Sequence, residues 1–253
     1  MAPVYDAFTA PYDYELWTGG ILAEVTKHGI GGRRLLDVGC GTGKSFLPML
    51  EWGWEATGCD ISPSMLAIAG EKAGEDVSLA VADVRELPEF GEFDLVWALG
   101  DALNYMLAPD EFEMALIGMS RNLAPGGLLA FDLNTIYCYR TFFAETQVLE
   151  RDGLRFVWQG QASPRVAPGS VCESLLEVDP SDDPESDLFG VTIPAHRHRQ
   201  RHISATEVSS TLNAVRLECL DVIGQDFNVL RRPLDELAHT KAVYVARQKE
   251  VTR

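Results

Sequence analysis

Several features that would direct a protein to a metal, a membrane or a nucleic acid are missing from this sequence. Its five cysteines, at 40, 59, 138, 172 and 219, are odd in number and include no C-x-x-C pair, so neither a disulfide framework nor a zinc ribbon is indicated. No apolar run approaches the roughly 20 residues that span a bilayer, and no opening segment has the pattern of a secretory leader. Basic residues are few, 21 against 38 acidic, and the net charge of −17 opposes binding to nucleic acid phosphates or anionic membranes.

What the chain does contain suits a globular protein. With 253 residues, 46% of them hydrophobic, it can form one large domain, or a domain with a smaller insertion, around a sizeable core. The cysteines are expected to be small buried apolar residues. We therefore expect a soluble cytoplasmic protein whose partner is a small molecule.

The most informative segment is DVGCGTGKS, residues 37–45, which follows an apolar run. A phosphate-binding P-loop requires a glycine five positions before Gly43, where Val38 stands, so Lys44 is not expected to bind phosphate. A dinucleotide loop requires a third glycine three residues after Gly41, and that position holds Lys44. What remains is a buried parallel strand that ends in a tight G-x-G-x-G turn, whose glycines let the backbone approach a ligand closely.

Strand-like and helix-like segments alternate through the first half of the chain. Strands are predicted at 35–38, before 60, and at 77–81, 93–99 and 128–133, with helices after the glycine turn, from Ser62 and over 111–122. The alternation predicts an α/β fold with a doubly wound, mostly parallel sheet.

The alternation lapses over residues 134–203, which we interpret as an insertion. Strands are predicted within it at 155–159, 171–178 and 196–203, together with an acidic turn at 181–187. The pattern then resumes with a helix over 204–215 and strands over 217–222 and 242–247.

Four motifs occur in order: LLDVGCGTGKS at 35–45, Asp60 at the end of the second strand, VADV at 81–84 and LAPGGLLAFD at 123–132. Together they resemble class I S-adenosylmethionine-dependent methyltransferases, in particular the small-molecule group with an inserted cap. The amino-terminal YDAFTAPYDYELW, residues 5–17, is similar to the segment that closes over the cofactor in that group. The resemblance implies a seven-stranded, Rossmann-like methyltransferase core at 1–133 and 204–253, with a small β-rich substrate cap at 134–203.

The resemblance also implies that S-adenosyl-L-methionine binds at the carboxyl edge of the sheet. Asp60 is suited to accept hydrogen bonds from the ribose hydroxyls, and Asp83 from the adenine amino group. Asp37 either reaches the methionine amino group or only anchors the turn; helix capping and loop stabilisation are the alternatives for Asp60 and Asp83. Tyr12 and Trp17 are candidates to cover the methionine end, where aromatic faces favour the sulfonium charge. The other expected contacts are Gly39, Cys40, Gly41, Ile61, Met65, Val84 and Leu99.

The acceptor is expected beside the loop that follows the fourth strand. Asp101, Asn104 and Tyr105 in the segment LGDALNYM are the candidate catalytic residues, with helix capping as the alternative for Asp101. Asn134 and Tyr137, just past the fifth strand, are candidates to line the same pocket.

The segment HRHRQRH, residues 196–202, places three histidines on one face of a predicted strand and three arginines on the other. The group that the chain resembles often has a His-x-x-Arg pair here, so the resemblance assigns His198 and Arg201 to the acceptor. A structural strand of the cap is the alternative. A metal site would need a further carboxylate, and no metal is expected.

The reaction implied by the resemblance is methyl transfer from S-adenosylmethionine to a nitrogen or an oxygen of a small molecule. A noncatalytic protein that binds S-adenosylmethionine stays open as an alternative, because a fold alone does not fix function. A nicotinamide oxidoreductase is disfavoured by the missing third glycine. The insertion at 134–203 is expected to roof the acceptor, and a homodimer surface is its alternative role.

Overall fold

The fold is that of a computed structural model, which describes residues 1–179 and 193–249. The predicted acidic turn at 181–187 lies outside the described residues. The helices are α1 (Ala2–Phe8), α2 (Tyr14–Thr26), α3 (Leu47–Glu51), α4 (Pro63–Ala73), α5 (Pro109–Arg121), α6 (Ile136–Arg140) and α7 (Ala205–Ala214). The strands are β1 (Arg34–Val38), β2 (Glu55–Asp60), β3 (Ser78–Val81), β4 (Phe93–Ala98), β5 (Leu123–Asn134), β6 (Thr146–Arg151), β7 (Leu154–Gly160), β8 (Val171–Asp179), β9 (His196–Arg201), β10 (Leu217–Asp226), β11 (Val229–Arg231) and β12 (Lys241–Gln248).

The main sheet confirms the predicted doubly wound α/β fold. Its strand order is β11, β10, β12, β5, β4, β1, β2, β3, and β1 to β5 are parallel to one another. β12 runs antiparallel to both β5 and β10. The short β11, which pairs with β10, adds an eighth strand to the seven expected. Because the chain order reverses between β1 and β4, the carboxyl ends of these strands open a crevice where ligands of such sheets bind.

Helices cover both faces of the main sheet. The α2, α3 and α4 helices pack on one face around Trp17, Ile21, Phe46 and Trp97. The α5 and α7 helices pack on the other, and Phe112 is among the side chains that they bury. Sequence signals set these helices locally; α4, for example, begins with Pro63 after Ser62, whose Oγ accepts from a backbone N–H of the first turn.

A second sheet of four antiparallel strands, in the order β6, β7, β8, β9, is formed by the segment that interrupts the alternation. The sequence predicted three of its strands and missed β6, whose residues TQVLER are mostly exposed and carry little apolar pattern. Its core contains Phe143, Phe156 and Trp158, and Val4 of α1 packs into it. The first helix therefore contacts the second sheet. It also contacts the glycine turn, through a hydrogen bond between Asp6 and Thr42. None of the described helices is both long and apolar enough to cross a membrane.

Candidate active site

The spacing of the glycines after β1 follows from local sterics. Gly39, Gly41 and Gly43 have φ angles of 74°, 54° and 85°, which residues with a side chain rarely adopt. A Cβ on Gly39 would lie 2.9 Å from the Ala102 Cβ, and one on Gly43 would lie 2.7 Å from the Phe46 ring. The Phe46 ring therefore explains the glycine that comes one residue too early for a dinucleotide loop.

Hydrogen bonds from β2 hold the glycine turn. The backbone N–H groups of Gly39 and Cys40 donate to the carbonyl oxygen of Cys59 at 2.8 and 3.0 Å. The Gly41 N–H donates to Asp60 Oδ2 at 2.9 Å, and Asp60 Oδ1 accepts at 2.8 Å from the backbone two residues on. Asp60 thus orders two loops at the switch point. Each of its oxygens keeps a lone pair for a ribose hydroxyl, and that contact stays a prediction.

Two of the expected cofactor contacts lie beneath the site. Cys40 is 4% exposed and Leu99 is 5% exposed. The Cys40 Sγ would be 3.0 Å from a Cβ built on Gly58 of β2, so the thiol faces the core. Burial raises the pKa of this thiol above its ordinary value. The side chains of both residues belong to the core cluster below the sheet edge, and their contact with the cofactor stays a prediction.

Asp37 is almost fully enclosed, at 1% exposure. Ser45 Oγ donates to its Oδ2 at 2.5 Å, while its Oδ1 is buried and has no partner among the described residues. Burial raises the pKa of Asp37 to about 7, against the lowering effects of Ser45 and of the Trp97 indole N–H. That N–H is also buried without a hydrogen bond of its own and is one donor near Asp37. A buried oxygen calls for a donor, and the methionine amino group remains the predicted one from the cofactor.

An open apolar surface flanks Asp60 at the carboxyl ends of β2 and β3. Ile61 and Val81 are each 62% exposed, and Met65 and Val84 are half-buried. A carboxylate beside exposed apolar side chains matches a ribose joined to a purine ring.

Asp83 is held by its neighbour Arg85. The Arg85 Nε donates to Asp83 Oδ1 at 2.9 Å and the Nη2 donates to Oδ2 at 2.5 Å. These hydrogen bonds keep the pKa of Asp83 below its ordinary value. The contacts correspond to the loop-stabilising alternative, and the adenine contact of Asp83 stays a prediction.

The two aromatic residues predicted to cover the methionine end differ in placement. Trp17 is 3% exposed, and its Nε1–H donates to Gln225 Oε1 at 2.8 Å. Its predicted role is wrong, because the ring packs between α2 and the sheet and its polar atom is satisfied in β10. Tyr12 is half-buried and stacks on Phe227, with ring centroids 5.8 Å apart. Its contact with the cofactor stays a prediction.

Polar contacts tie the amino-terminal segment to the glycine turn. Thr42 Oγ1 donates to Asp6 Oδ1 at 2.6 Å, and Lys44 Nζ donates to Thr9 Oγ1 at 2.9 Å. The Lys44 ammonium also lies 4.5 Å from the centroid of the Tyr14 ring. The lysine that a P-loop would direct at phosphate anchors this segment instead.

On the acceptor side, Asp101 follows β4 with a φ angle of 57°. Lys241 Nζ donates to its Oδ1 at 2.8 Å, and Gln200 Nε2 donates to its Oδ2 at 2.5 Å. The carboxylate makes no capping hydrogen bond to the 3-10 turn that follows, so the helix-capping alternative is wrong. The Asp101 side chain is 27% exposed and is accessible from the crevice.

Asp132, at the end of β5, is 0% exposed and fixes the backbone before and at Asp101. It accepts from the N–H of Gly100 at 2.6 Å, the N–H of Asp101 at 3.1 Å and Lys241 Nζ at 2.6 Å. Burial raises the pKa of Asp132, although Lys241 opposes the shift. Burial also disfavours the Lys241 ammonium, but the two carboxylates outweigh it and raise the pKa of Lys241.

Asn104 is structural, which corrects its predicted catalytic role. It is 0% exposed; its Nδ2 donates to the Arg201 carbonyl, and its Oδ1 accepts from the Asn134 N–H, both at 2.9 Å. The Asn134 Nδ2 donates to Gln200 Oε1 at 2.9 Å, and these bonds join β5, β9 and the loop after β4. The Asn134 Oδ1 makes no hydrogen bond among the described residues, and the acceptor contact of Asn134 stays a prediction.

The predicted substrate role of Arg201 is also wrong. Its side chain is 6% exposed; the Nη1 donates to Glu207 Oε2 in α7 at 2.9 Å, and the Nη2 lies 2.8 Å from Oε1 in the same ion pair. Its Nε donates to the Met106 carbonyl at 3.1 Å. Arg201 therefore joins β9 to α7 beneath the crevice.

Tyr105 and His198, predicted separately, meet in the structure. The Tyr105 hydroxyl lies 2.7 Å from His198 Nδ1. Tyr105 is 40% exposed. Burial lowers the pKa of His198, which keeps the ring neutral at pH 7. The Trp158 ring of the second sheet lies 5.3 Å from His198.

The two faces of β9 have different environments. His198 and Gln200 face the loop after β4. Arg197 and Arg199 are 63% and 54% exposed, and each pairs with Glu173 at 2.9 Å. The histidine face therefore points to the crevice. Within the described part of the chain, no group of three side chains is arranged to hold a metal ion.

Three residues of the acceptor side were missed by sequence reasoning: Asp132, Gln200 and Lys241. Asp132 carried a signal, because it lies two residues before the carboxyl end of β5, much as Asp60 lies at the end of β2. Lys241 begins an antiparallel strand, whose first residue lies at the carboxyl edge of the parallel strands. Gln200 stands among arginines and histidines in a segment where the sequence drew attention to its neighbours. Tyr137 is half-buried, and its predicted acceptor contact stays a prediction.

The residues present match S-adenosylmethionine. The bare glycine backbone, the unpartnered Asp37 oxygen and the Asp60 carboxylate beside apolar side chains correspond to its amino acid, ribose and purine parts. These groups lie on adjacent loops after β1, β2 and β3, as expected for a single ligand.

Comparison with known proteins agrees with this geometry. The family described as "Methyltransferase domain" matches residues 35–127. YqeM of Bacillus subtilis (strain 168), a methyltransferase by name, is 32% identical over 166 residues, 64% of this chain and 66% of its own length. GWCH70_2453 of Geobacillus sp. (strain WCH70), also a methyltransferase by name, is 31% identical over 191 residues, which are 71% of this chain and 76% of its own length.

Solved structures share the whole fold. An S-adenosylmethionine-dependent methyltransferase from Clostridium acetobutylicum ATCC 824 superposes with a TM-score of 0.81 at 20% identity and covers 98% of both chains. The sugar N-methyltransferase KedS8 from Streptoalloteichus sp ATCC 53650 has a TM-score of 0.73 at 24% identity, over 98% of this chain and 94% of its own. With the sequence relatives and the cofactor geometry, these likenesses establish that the chain belongs to the class I S-adenosylmethionine-dependent methyltransferases.

Proposed function

We propose that the protein methylates an amine nitrogen of a small-molecule acceptor. The observation that carries this proposal is the accessible Asp101 carboxylate at the carboxyl end of β4. Asp101, Asp132 and Lys241 comprise two carboxylates and one ammonium, a formal charge of −1. In a partly buried crevice, an excess negative charge favours a cationic acceptor over an anionic one. KedS8, which has the same fold, is named a sugar N-methyltransferase, and its name supports a nitrogen acceptor.

The chain's residues orient the acceptor and remove its proton. When bound, S-adenosylmethionine supplies an electrophilic methyl group on a sulfonium. Asp101 accepts a hydrogen bond from the acceptor ammonium and orients its nitrogen. The Tyr105–His198 pair takes up one proton from that nitrogen, because His198 is neutral at pH 7 and Tyr105 is accessible.

A hydroxyl acceptor is the second candidate, and the same Tyr105–His198 pair favours it. A hydroxyl requires a base within hydrogen-bond reach more than an amine does. The charge of −1 beside Asp101 does not select for a neutral hydroxyl, and the amine is therefore preferred.

We also propose that residues 134–203 act as a cap that selects the acceptor. The strand β9 supplies His198 and Gln200 to the acceptor side, whereas the turns that support the predicted cofactor contacts lie after β1, β2 and β3. Aromatic rings of the same segment, Trp158 among them, lie behind His198 and would exclude water from the crevice. We further infer a cytoplasmic protein, since all five cysteines are free thiols.

The proposal is tested by a screen of amine, hydroxyl and carboxyl metabolites for formation of adenosylhomocysteine. Amino sugars and other primary or secondary amines form the first set. Transfer to amines that Asp101→Asn slows about a hundredfold or more, with adenosylhomocysteine binding retained in calorimetry, supports it. Transfer only to hydroxyl acceptors would select the second candidate, and binding without transfer to any acceptor would contradict both.

A further inference from the structure

We propose that Lys241 is a positioning residue of the acceptor site, which orients the Asp101 carboxylate toward the acceptor and balances its charge. The proposal rests on the proposed function, because that function assigns the acceptor to Asp101. Lys241 acts through Asp101 and does not itself contact the acceptor.

The topology of the sheet brings Lys241 to this place. β12 runs antiparallel to β5, so its first residue pairs with Asn134 at the carboxyl end of β5. The Lys241 side chain is only 12% exposed, and its ammonium reaches Asp101 from within the edge of the sheet. Solvent therefore does little to screen the ion pair.

Asp101 has a backbone conformation that needs support. A non-glycine residue with a φ angle of 57° persists only where its surroundings hold it. Asp132 supplies that support by accepting from the N–H groups of Gly100 and Asp101. Lys241 bonds both carboxylates, at 2.6 Å to Asp132 and 2.8 Å to Asp101. One ammonium thus connects the group that fixes the backbone with the group that faces the acceptor.

Lys241 is also the counter-ion of the site. Several titratable groups lie close enough to interact electrostatically with Asp101. They are Lys241 from β12, Asp132 from β5, Tyr105 from the turn after β4, His198 from β9, Tyr139 and Cys138 from α6, and Tyr5, Tyr12 and Tyr14 from the amino-terminal segment. Of these described groups, Lys241 alone is cationic at pH 7. Without it, two nearby carboxylates would share a poorly hydrated site, and one would retain a proton. A protonated carboxyl group would no longer attract an ammonium.

The first test compares Lys241→Gln, Lys241→Arg and the control Lys249→Gln, which changes an exposed lysine just beyond the other end of β12. The Gln variant is expected to lower kcat/KM for the acceptor about ten- to a hundredfold at pH 7. The acidic limb of its pH profile should move to higher pH. The Arg variant keeps the charge, so it should keep the wild-type pH profile with a smaller loss of kcat/KM. Lys249→Gln should match the wild type, and all variants should bind adenosylhomocysteine as the wild type does.

A double-mutant cycle separates positioning from a merely structural role. If Lys241 acts through Asp101, Lys241→Gln should have little further effect on kcat/KM in an Asp101→Asn background. Equal fold losses in both backgrounds, or a pH profile that Lys241→Gln leaves unmoved, would overturn the proposal.

A third readout needs no acceptor. The carboxyl carbon of Asp132, followed by ¹³C NMR, should titrate at higher pH in Lys241→Gln than in the wild type or in Lys241→Arg. If no metabolite is methylated, the proposed function fails, while this titration still decides whether Lys241 is the counter-ion. An unchanged Asp132 titration would overturn the role of Lys241 even in an active enzyme. If Lys241→Gln does not fold, the acceptor kinetics of Lys241→Arg test the proposal instead. A wild-type kcat/KM in Lys241→Arg would contradict the positioning role of Lys241.

Discussion

The two halves of the site are built by different kinds of contact. On the cofactor side, the turns are formed mainly by backbone N–H groups and by glycine conformations. The bonded residues there are close in sequence; Gly41 and Asp60, for example, are 19 positions apart. On the acceptor side, side chains bond to side chains across the fold, at separations of 93 for Tyr105–His198 and 140 for Lys241–Asp101. The cofactor half should therefore tolerate most side-chain changes outside its acids, and the acceptor half should depend on individual side chains.

The largest effect is expected at Asp101. Asp101→Asn removes the charge that faces the acceptor while Lys241 keeps Asp132 as a partner, so kcat/KM for the acceptor should fall about a hundredfold or more. Affinity for adenosylhomocysteine, measured by calorimetry, should stay within about twofold. Asp110→Asn, in the exposed first turn of α5, is the control. A comparable loss of cofactor affinity in Asp101→Asn would erase the distinction between the halves.

The same difference explains which parts of the fold and of the site could be predicted from the sequence. The strand that ends in the glycine turn and Asp60 at the end of the next strand follow from local spacing, and both positions are found as expected. Asp101 was identified because it follows a parallel strand. Its partners Gln200 and Lys241 come from an antiparallel cap strand and the antiparallel last strand, and their register with the core is a tertiary property without a local signal. Trp17 was misassigned because the sequence of α2 has no clear apolar stripe to reveal which ring turns to the core.

On the cofactor side, Asp60→Ala should weaken adenosylhomocysteine binding by about 1.5 to 3 kcal/mol, the scale of hydrogen bonds to a charged group. The change also releases the Gly41 N–H, which will loosen the turn. Asp60→Asn keeps an acceptor oxygen and should lose less. Calorimetry on folded variants provides the measurement, and unchanged affinity in the Ala variant would leave Asp60 with its loop-ordering role only.

The cofactor half should contribute a pH-dependent term to stability through Asp37. Its pKa is raised from 3.8 to about 7 in the folded protein, so the folded state holds a proton that the unfolded chain releases. Stability is then fully present below about pH 4 and is lost as the pH rises toward 7, by at most about 1.4 kcal/mol per pH unit. Asp37→Asn lacks this term. Urea unfolding of both ligand-free proteins at pH 5, 6 and 7 should show their difference in unfolding free energy changing by about 2 kcal/mol, and parallel curves would refute the assignment.

The smallest pair of effects distinguishes the faces of β9. His198→Gln should lower kcat/KM for the acceptor about tenfold, less than the roughly hundredfold minimum that is typical of a dedicated proton-transfer group. Arg199→Gln lies on the exposed face beside Glu173 and should leave kcat/KM within about twofold and stability within about 0.5 kcal/mol. Steady-state kinetics with thermal melts would check both. An arginine variant with the larger kinetic effect would reverse the orientation assigned to this strand.

The hydrogen bond from Gln200 to Asp101 has a consequence for protein engineering. Exchanging the segment 134–203 for that of a relative is an obvious route to a new acceptor, but this segment also supplies one of the two side chains that hold Asp101. A grafted segment with an apolar residue at the position of Gln200 would leave one carboxylate oxygen without its donor, whatever pocket the new residues form. Chimeras should therefore be selected first for an amide at that position, and only then for the shape of the binding surface.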